Sequence, residues 1–137
     1  MKPINQTIEG IVQGLGLSYL YAYTQEANIL LDRKTPFPCM VRFFSETLNV
    51  TQEAKGDYIQ RNLLLYFADK QPIDAETATE LDPICEDMTA KALAFIRAMR
   101  SAGYEILTNR IERTFGRFDV DTAGVVLELQ VAFTQRC

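Results

Sequence analysis

The chain of 137 residues contains no histidine. It also lacks a glycine-rich phosphate-binding loop, a nucleophile elbow and a closely spaced pair of cysteines. These absences remove the usual sequence signatures of nucleotide-binding and hydrolytic enzymes. We therefore expect a protein that has no catalytic residues, binds no cofactor and is not an enzyme.

The three cysteines, Cys39, Cys85 and Cys137, are scattered and odd in number. Three separated thiols without an imidazole do not make a closed tetrahedral zinc site, so we expect no metal centre. In a reducing compartment such residues behave as small buried hydrophobic side chains or as a free terminal thiol.

The charge balance is mildly acidic, with 14 basic and 18 acidic residues and a net charge of −4. Binding to nucleic acid requires a basic stripe that neutralises phosphates, so we expect no sequence-specific nucleic-acid partner. No apolar run reaches the roughly 18 to 20 residues that cross a bilayer, and the first residues are too polar for a signal peptide. We expect one domain, made in the cytoplasm and without a membrane partner.

The strongest periodic signals lie in the second half of the chain. Residues 74–102 predict a long amphipathic helix, because its apolar residues recur at helical spacing. Asp82 and Pro83 lie within it, where they could restart a helix. Residues 125–134 alternate between apolar and polar side chains, which predicts an antiparallel strand with one covered face.

The remaining segments give weaker predictions. Residues 3–13 have the spacing of a short helix that ends at Gly14 and Gly16, and strands are predicted at 17–23, 39–44, 58–67 and 104–115. Residues 25–32 fit either a helical turn or a strand end. Residues 45–57 and 116–124 are predicted to be loops. The fold class is therefore α+β, an antiparallel sheet of about four to five strands in the order α-β-β-β-α-β-β, with the long helix packed on one face.

Two acidic groups are candidates for chemistry. Asp119 and Asp121 have the spacing that begins a calcium loop, but the later ligands are missing, which favours a solvated loop. Asp82, Glu86 and Asp87 could act as a carboxylate pair in acid–base catalysis, yet no group that titrates near pH 7 accompanies them. An exposed acidic cluster in the first turn of a helix is the favoured interpretation.

Tyrosines and arginines lie on the predicted strands. Tyr19, Tyr21 and Tyr23 share one face, which either stacks a ligand or partner loop or is half-covered sheet surface. The arginines of the predicted strands are open to two interpretations: they bridge to glutamate across the sheet, or they anchor a subunit interface. These arginines are Arg42, Arg61, Arg110 and Arg113.

The element order and three local segments resemble the tail-terminator and tail-completion (neck) proteins of long-tailed bacteriophages and prophages. Residues 36–41 (PFPCMV) look like the start of the second strand in that family. Residues 62–69 (NLLLYFAD) look like the strand before the long helix. Residues 118–121 (FDVD), followed by residues 124–131 (GVVLELQV), look like the variable loop and closing strand of small phage structural subunits.

The resemblance implies a non-enzymatic virion protein that assembles as a homo-oligomeric ring at the end of the tail tube or at the head–tail junction. Its partners would be copies of itself and other tail or neck proteins, and it would occupy the host cytoplasm during assembly. The candidate interface residues are Arg42, Arg61, Arg110, Arg113, Asp119 and Asp121. A small cytoplasmic module that binds a ligand or peptide is the alternative, and an enzyme ranks last.

Overall fold

The computed structural model describes residues 3–22, 36–43, 47–70, 81–115 and 122–135. These residues form two helices and six strands. In chain order the elements are α1 (Ile4–Gly14), β1 (Ser18–Ala22), β2 (Cys39–Phe43), β3 (Thr47–Glu53), β4 (Gly56–Lys70), α2 (Asp82–Ser101), β5 (Glu105–Phe115) and β6 (Thr122–Gln135). The predicted α+β class is confirmed. Residues 25–32 and 74–80, for which we made predictions, lie outside the described residues.

Helix α1 buries Ile4, Ile8 and Val12, which recur at helical spacing on one face. The helix ends where predicted, and Gly16 follows with a φ of 78°, a left-handed conformation that glycine adopts without steric cost. The carbonyl oxygen of Leu15 accepts a hydrogen bond of 3.0 Å from Nζ of Lys91 on α2. This contact satisfies one of the carbonyl groups that a helix C-terminus leaves without a partner.

Helix α2 begins at Asp82 and carries Pro83 in its first turn. Proline suits this position because its missing N–H has no partner within the helix. The predicted apolar stripe of the long helix is confirmed over the described part, since one face of α2 is buried. Its buried residues are Cys85, Met88, Ala92, Phe95, Ile96 and Met99.

The sheet has six strands, with β1, β2, β4, β6 and β5 side by side and β3 paired with β4. The predicted number and order of strands, and the purely antiparallel pairing, were wrong. β1 and β2 pair in parallel, whereas the other pairs are antiparallel. Local periodicity identifies a strand but not its neighbour, so β1 gave no indication of a parallel partner.

The predicted loop at residues 45–57 contains the additional strand. β3 runs antiparallel to β4, with Glu53 opposite Gly56, so that Ala54 and Lys55 form a two-residue turn. β2 and β3 pair with the same side of β4, because β2 pairs with residues 65–68 and β3 with residues 56–62. The prediction failed because β3 buries little apolar surface, and burial is what makes a strand recognisable by pattern.

Both helices pack on one face of the sheet. The core beneath them combines the buried faces of α1 and α2 with alternate residues of the two long central strands. These strand residues are Leu63, Leu65 and Phe67 of β4 and Val125, Leu127, Leu129 and Val131 of β6. The predicted packing of the long helix on one face of the sheet is therefore confirmed.

A second, smaller cluster lies on the face opposite the helices. It contains Cys39, Val41, Tyr66, Ala68 and Val126. Val126 and Ala132 were predicted to lie on the polar face of the last strand, yet both are buried, whereas Glu128 on the same face is exposed. The prediction that only one face of this strand is covered was therefore wrong at Val126 and Ala132.

Candidate interaction surface

The edge strand β3 presents the most exposed apolar side chains of the described strands. Leu48 is 44% exposed and Val50 is 56% exposed. They lie opposite Arg61 and Ile59 of β4, and therefore on the side of the sheet that carries the helices. From residue 48 to residue 52 the strand has no charged residue and no proline. Its register with β4 is continuous over seven residue pairs.

Strand β5, at the other end of the sheet, has a different kind of edge. Its register with β6 is interrupted between Ile106 and Thr108. Arg110 and Glu112 are 69% and 64% exposed, and their side chains form an ion pair of 3.6 Å. Bulges and charged side chains are the devices by which proteins keep a sheet edge from pairing with another chain. β5 has both devices, and residues 48–52 of β3 have neither.

Arg113 connects β5 to the start of α2. Its guanidinium donates a hydrogen bond of 2.8 Å to the Asp82 carboxylate and another to the Glu86 carboxylate. The acidic residues that could have formed a catalytic pair are therefore engaged in a bridge between strand and helix. All three side chains are about half exposed or more, so the bridge stabilises the fold only slightly.

Arg42 lies inside the protein, with an exposed fraction of 2%. It donates a hydrogen bond of 3.2 Å to Oδ1 of Asn5 on α1, and its guanidinium lies 4.1 Å from the centre of the Tyr21 ring. The Tyr19 hydroxyl also donates to Asn5, and burial raises the pKa of Tyr19. This polar cluster links α1 to β1 and β2. Its position removes Arg42 from the candidates for a surface contact.

Arg61 is half buried on the helix side of β4, where it lies opposite Leu48 of β3 and Val131 of β6. Burial raises the pKa of the nearby Tyr104, and the charge of Arg61 partly offsets that effect. Arg61 therefore borders the exposed apolar residues of β3. Asp119 and Asp121, the other two candidates for an interface, lie outside the described residues.

The cysteines offer no accessible nucleophile in the described part of the chain. Cys39 and Cys85 are buried and form no disulfide. Burial, together with the nearby Asp69 carboxylate, raises the pKa of the Cys39 thiol from 9.0 to about 12. Burial also raises the pKa of Cys85, although the charge of Arg113 opposes the shift. Both thiols are therefore protonated at neutral pH, and a protonated thiol is a poor nucleophile.

Within the described ranges, no group of three or more histidine, cysteine, aspartate or glutamate residues is placed to hold a metal ion. No helix in the same part of the chain is long and apolar enough to cross a membrane. Comparison of the sequence with models of known protein families and with curated proteins gives no match.

The sequence predicts four arginines as interface candidates but does not single out Leu48 and Val50. A signal was present. Residues 47–51 read TLNVT, which combines β-branched residues with alternating leucine and valine, and Lys55-Gly56 follows as a turn. The alternation was treated as a loop because polar residues surround it.

Proposed function

We propose that this protein is a non-enzymatic structural subunit of a bacteriophage or prophage particle. In this proposal it assembles into a homo-oligomeric ring at the tail end or at the head–tail junction. It contacts copies of itself and other tail or neck proteins, and it is part of the virion after assembly in the host cytoplasm. The sequence resemblance supplies the biological setting, and the exposed apolar residues of β3 carry the structural argument.

Leu48 and Val50 are the most exposed apolar side chains of the described strands. Apolar side chains left exposed on an edge strand favour association. Burying them at an interface stabilises the complex by about 25 cal/mol for each Å² of apolar surface removed from water. The same strand contributes little to the core of its own subunit. We infer that β3 serves contacts between proteins.

A closed ring requires two different, complementary surfaces on each subunit. Two edges of the sheet differ in this way: β3 exposes Leu48 and Val50 and has no charge at its centre, whereas β5 exposes Arg110 and Glu112. Arginine is favoured at protein interfaces because its planar guanidinium can make several hydrogen bonds at once. Arg110 is the most suitable arginine for such a contact, since Arg42 is buried and Arg113 is engaged with α2.

Complementation of a phage or prophage from which the gene has been removed tests this proposal. A variant with Leu48→Ser and Val50→Ser should fold, because both side chains are exposed, but it should yield few infectious particles. Leu93→Ser is the matched control, since Leu93 is 42% exposed on α2, away from β3. Particle yields that are equal for the two variants would remove β3 from the proposed interface.

A further inference from the structure

The outer edge of β3 can accept another strand. In an antiparallel strand, the N–H and C=O groups of alternate residues point to opposite sides, so half of those in β3 point away from β4. Among the described residues, β3 pairs with β4 alone. Its free edge therefore presents a row of backbone donors and acceptors beside two exposed apolar side chains.

The sequence of β3 is compatible with pairing to itself. If two copies run antiparallel and are centred on Val50, each Val50 lies opposite the other and each Leu48 lies opposite Gln52. The single charged residue of the strand, Glu53, falls at opposite ends of the pair, so that the two carboxylates are about 20 Å apart. This register brings apolar residues together without placing like charges in contact.

We propose that the free protein forms a dimer in which β3 pairs with β3 of a second copy, antiparallel and centred on Val50. A twofold axis at Val50, perpendicular to the sheet, keeps the helices of both copies on the same side. The two sheets then become continuous, and each Val50 side chain covers the other. Formation of this dimer does not require the protein to be a phage component.

The other edge of the sheet is a poorer partner for β3. The register of β5 is irregular beside Leu107, and Arg110 and Glu112 are largely exposed along it. Residues 48–52 of β3 carry no charge, and a strand without charges or bulges pairs with them more readily than β5 does. A contact through one strand of seven residues is smaller than a standard stable interface, so the dimer dissociates on dilution. Reversible pairing covers β3 until another partner replaces it.

Cysteine cross-linking tests the register. All variants carry Cys137→Ser, and the native Cys39 and Cys85 are buried. In the proposed dimer the Cβ atoms of the two residues at position 50 are about 4.5–5.5 Å apart, so Val50→Cys should cross-link rapidly in a glutathione redox buffer. Leu48→Cys is the matched control, because its two copies would be roughly 13 Å apart along the strands and should not cross-link.

A mixture of Leu48→Cys and Gln52→Cys proteins should cross-link to each other, since these positions are opposite in the dimer. If the Leu48→Cys protein by itself cross-links as fast as the Val50→Cys protein by itself, the proposed register is wrong. The native chain gives an independent measurement by sedimentation velocity, with an expected rise from monomer to dimer as concentration increases. A native chain that stays monomeric at every concentration would overturn the dimer itself.

The variant Val50→Lys places two like charges together at the twofold axis and should abolish the dimer. Leu93→Lys introduces the same charge at an exposed position of α2 and should leave the dimer unchanged. Dimerisation of Val50→Lys at the native concentration would contradict the proposal. If Val50→Lys loses the dimer but still supports normal particle assembly, pairing through β3 acts only in the free protein. If the native chain is a monomer and is still required for particles, the dimer is disproved and the proposed function stands.

Discussion

The ring of Phe67, on β4, lies edge-on to the ring of Phe95, on α2, with the ring centres 5.7 Å apart and the planes at 67°. Edge-to-face contact is a favoured geometry of aromatic pairs because the positive edge of one ring meets the negative face of the other. Both side chains are fully buried. This pair joins the long helix to the centre of the sheet.

Replacement of Phe95 by alanine should lower the free energy of unfolding by about 3–5 kcal/mol, because it leaves a cavity between helix and sheet. Leu93→Ala, two residues earlier on the exposed face, should change it by less than about 0.5 kcal/mol. Urea denaturation of both variants measures the difference. Equal stability of the two proteins would mean that the wrong face of α2 has been assigned to the core.

Replacement of Gly124 by alanine should destabilise the protein more than replacement of a glycine in a strand usually does. A Cβ atom at this position would lie 1.9 Å from the carbonyl oxygen of Phe67 on the neighbouring strand β4. The backbone would have to move, so Gly124→Ala should destabilise the protein by about 1–3 kcal/mol or more.

Gly10→Ala is the opposite case. Gly10 is exposed in the middle of α1, and no neighbouring atom lies within 4 Å of an added Cβ. This change should stabilise the protein by up to about 1 kcal/mol, since alanine favours a helix more than glycine does. Thermal denaturation should therefore move in opposite directions for the two glycines. A shift in the same direction would contradict the packing between β4 and β6.

Because of the Cys39 thiol, we expect the folded protein to lose stability at high pH. Its pKa is raised to about 12 in the folded protein, so unfolding releases a proton once the pH exceeds the ordinary value of 9.0. The folded state binds more protons than the unfolded state in this range, and its stability therefore falls as the pH rises above about 9.

Cys39→Ala should make that decline shallower between about pH 9 and 11, although it also removes a buried sulfur and lowers stability at every pH. The relevant quantity is thus the slope of unfolding free energy against pH, measured by urea denaturation. Cys85→Ala is the companion variant, with a smaller effect on the slope expected. A slope that is unchanged by Cys39→Ala would show that the thiol does not titrate differently in the two states.

Reversal of charge at Arg110 should weaken assembly. Arg110 is 69% exposed, and its ion pair with Glu112 lies within its own strand, so Arg110→Glu should leave the fold intact. Weaker assembly of the variant at low salt, and a smaller difference from the native chain at high salt, are expected because salt screens exposed charges. Light scattering at two salt concentrations measures this, with Arg97→Glu on the exposed face of α2 as control. Equal effects of the two reversals would indicate a general effect of net charge.

Segments that bury one face could be predicted from the sequence. The stripe of α2 and the apolar residues at every second position of β6 arise from contact with the core beneath the helices, so the pattern and the burial agree on that face. Strand β3 could not be predicted in this way because Leu48 and Val50 are exposed, and β-branched residues alone are a weak signal. The parallel pairing of β1 with β2 depends on contacts between distant residues, which local periodicity does not contain.

The candidate site was harder to predict than the fold. Arginine on a strand is compatible with burial, a bridge to a helix or an exposed position, and the structure gives one example of each in Arg42, Arg113 and Arg110. The difference depends on neighbours such as Asn5 of α1 and Asp82 of α2, which are remote from these arginines in sequence. Leu48 and Val50 of β3 were missed because the strand pattern at residues 47–51 is short and weak and polar residues surround it.

If the protein is a structural part of a phage particle, particles made without it should be defective, and electron microscopy shows this. The gene is deleted from the parent phage or prophage, lysis is induced, and heads and tails are scored with and without the native gene supplied in trans. We expect unjoined heads and tails, or tails of abnormal length, in the deletion strain, and normal particles when the native gene is supplied. Normal, fully joined particles in the absence of the protein would contradict it, and binding of a ligand or peptide would then be the function to test.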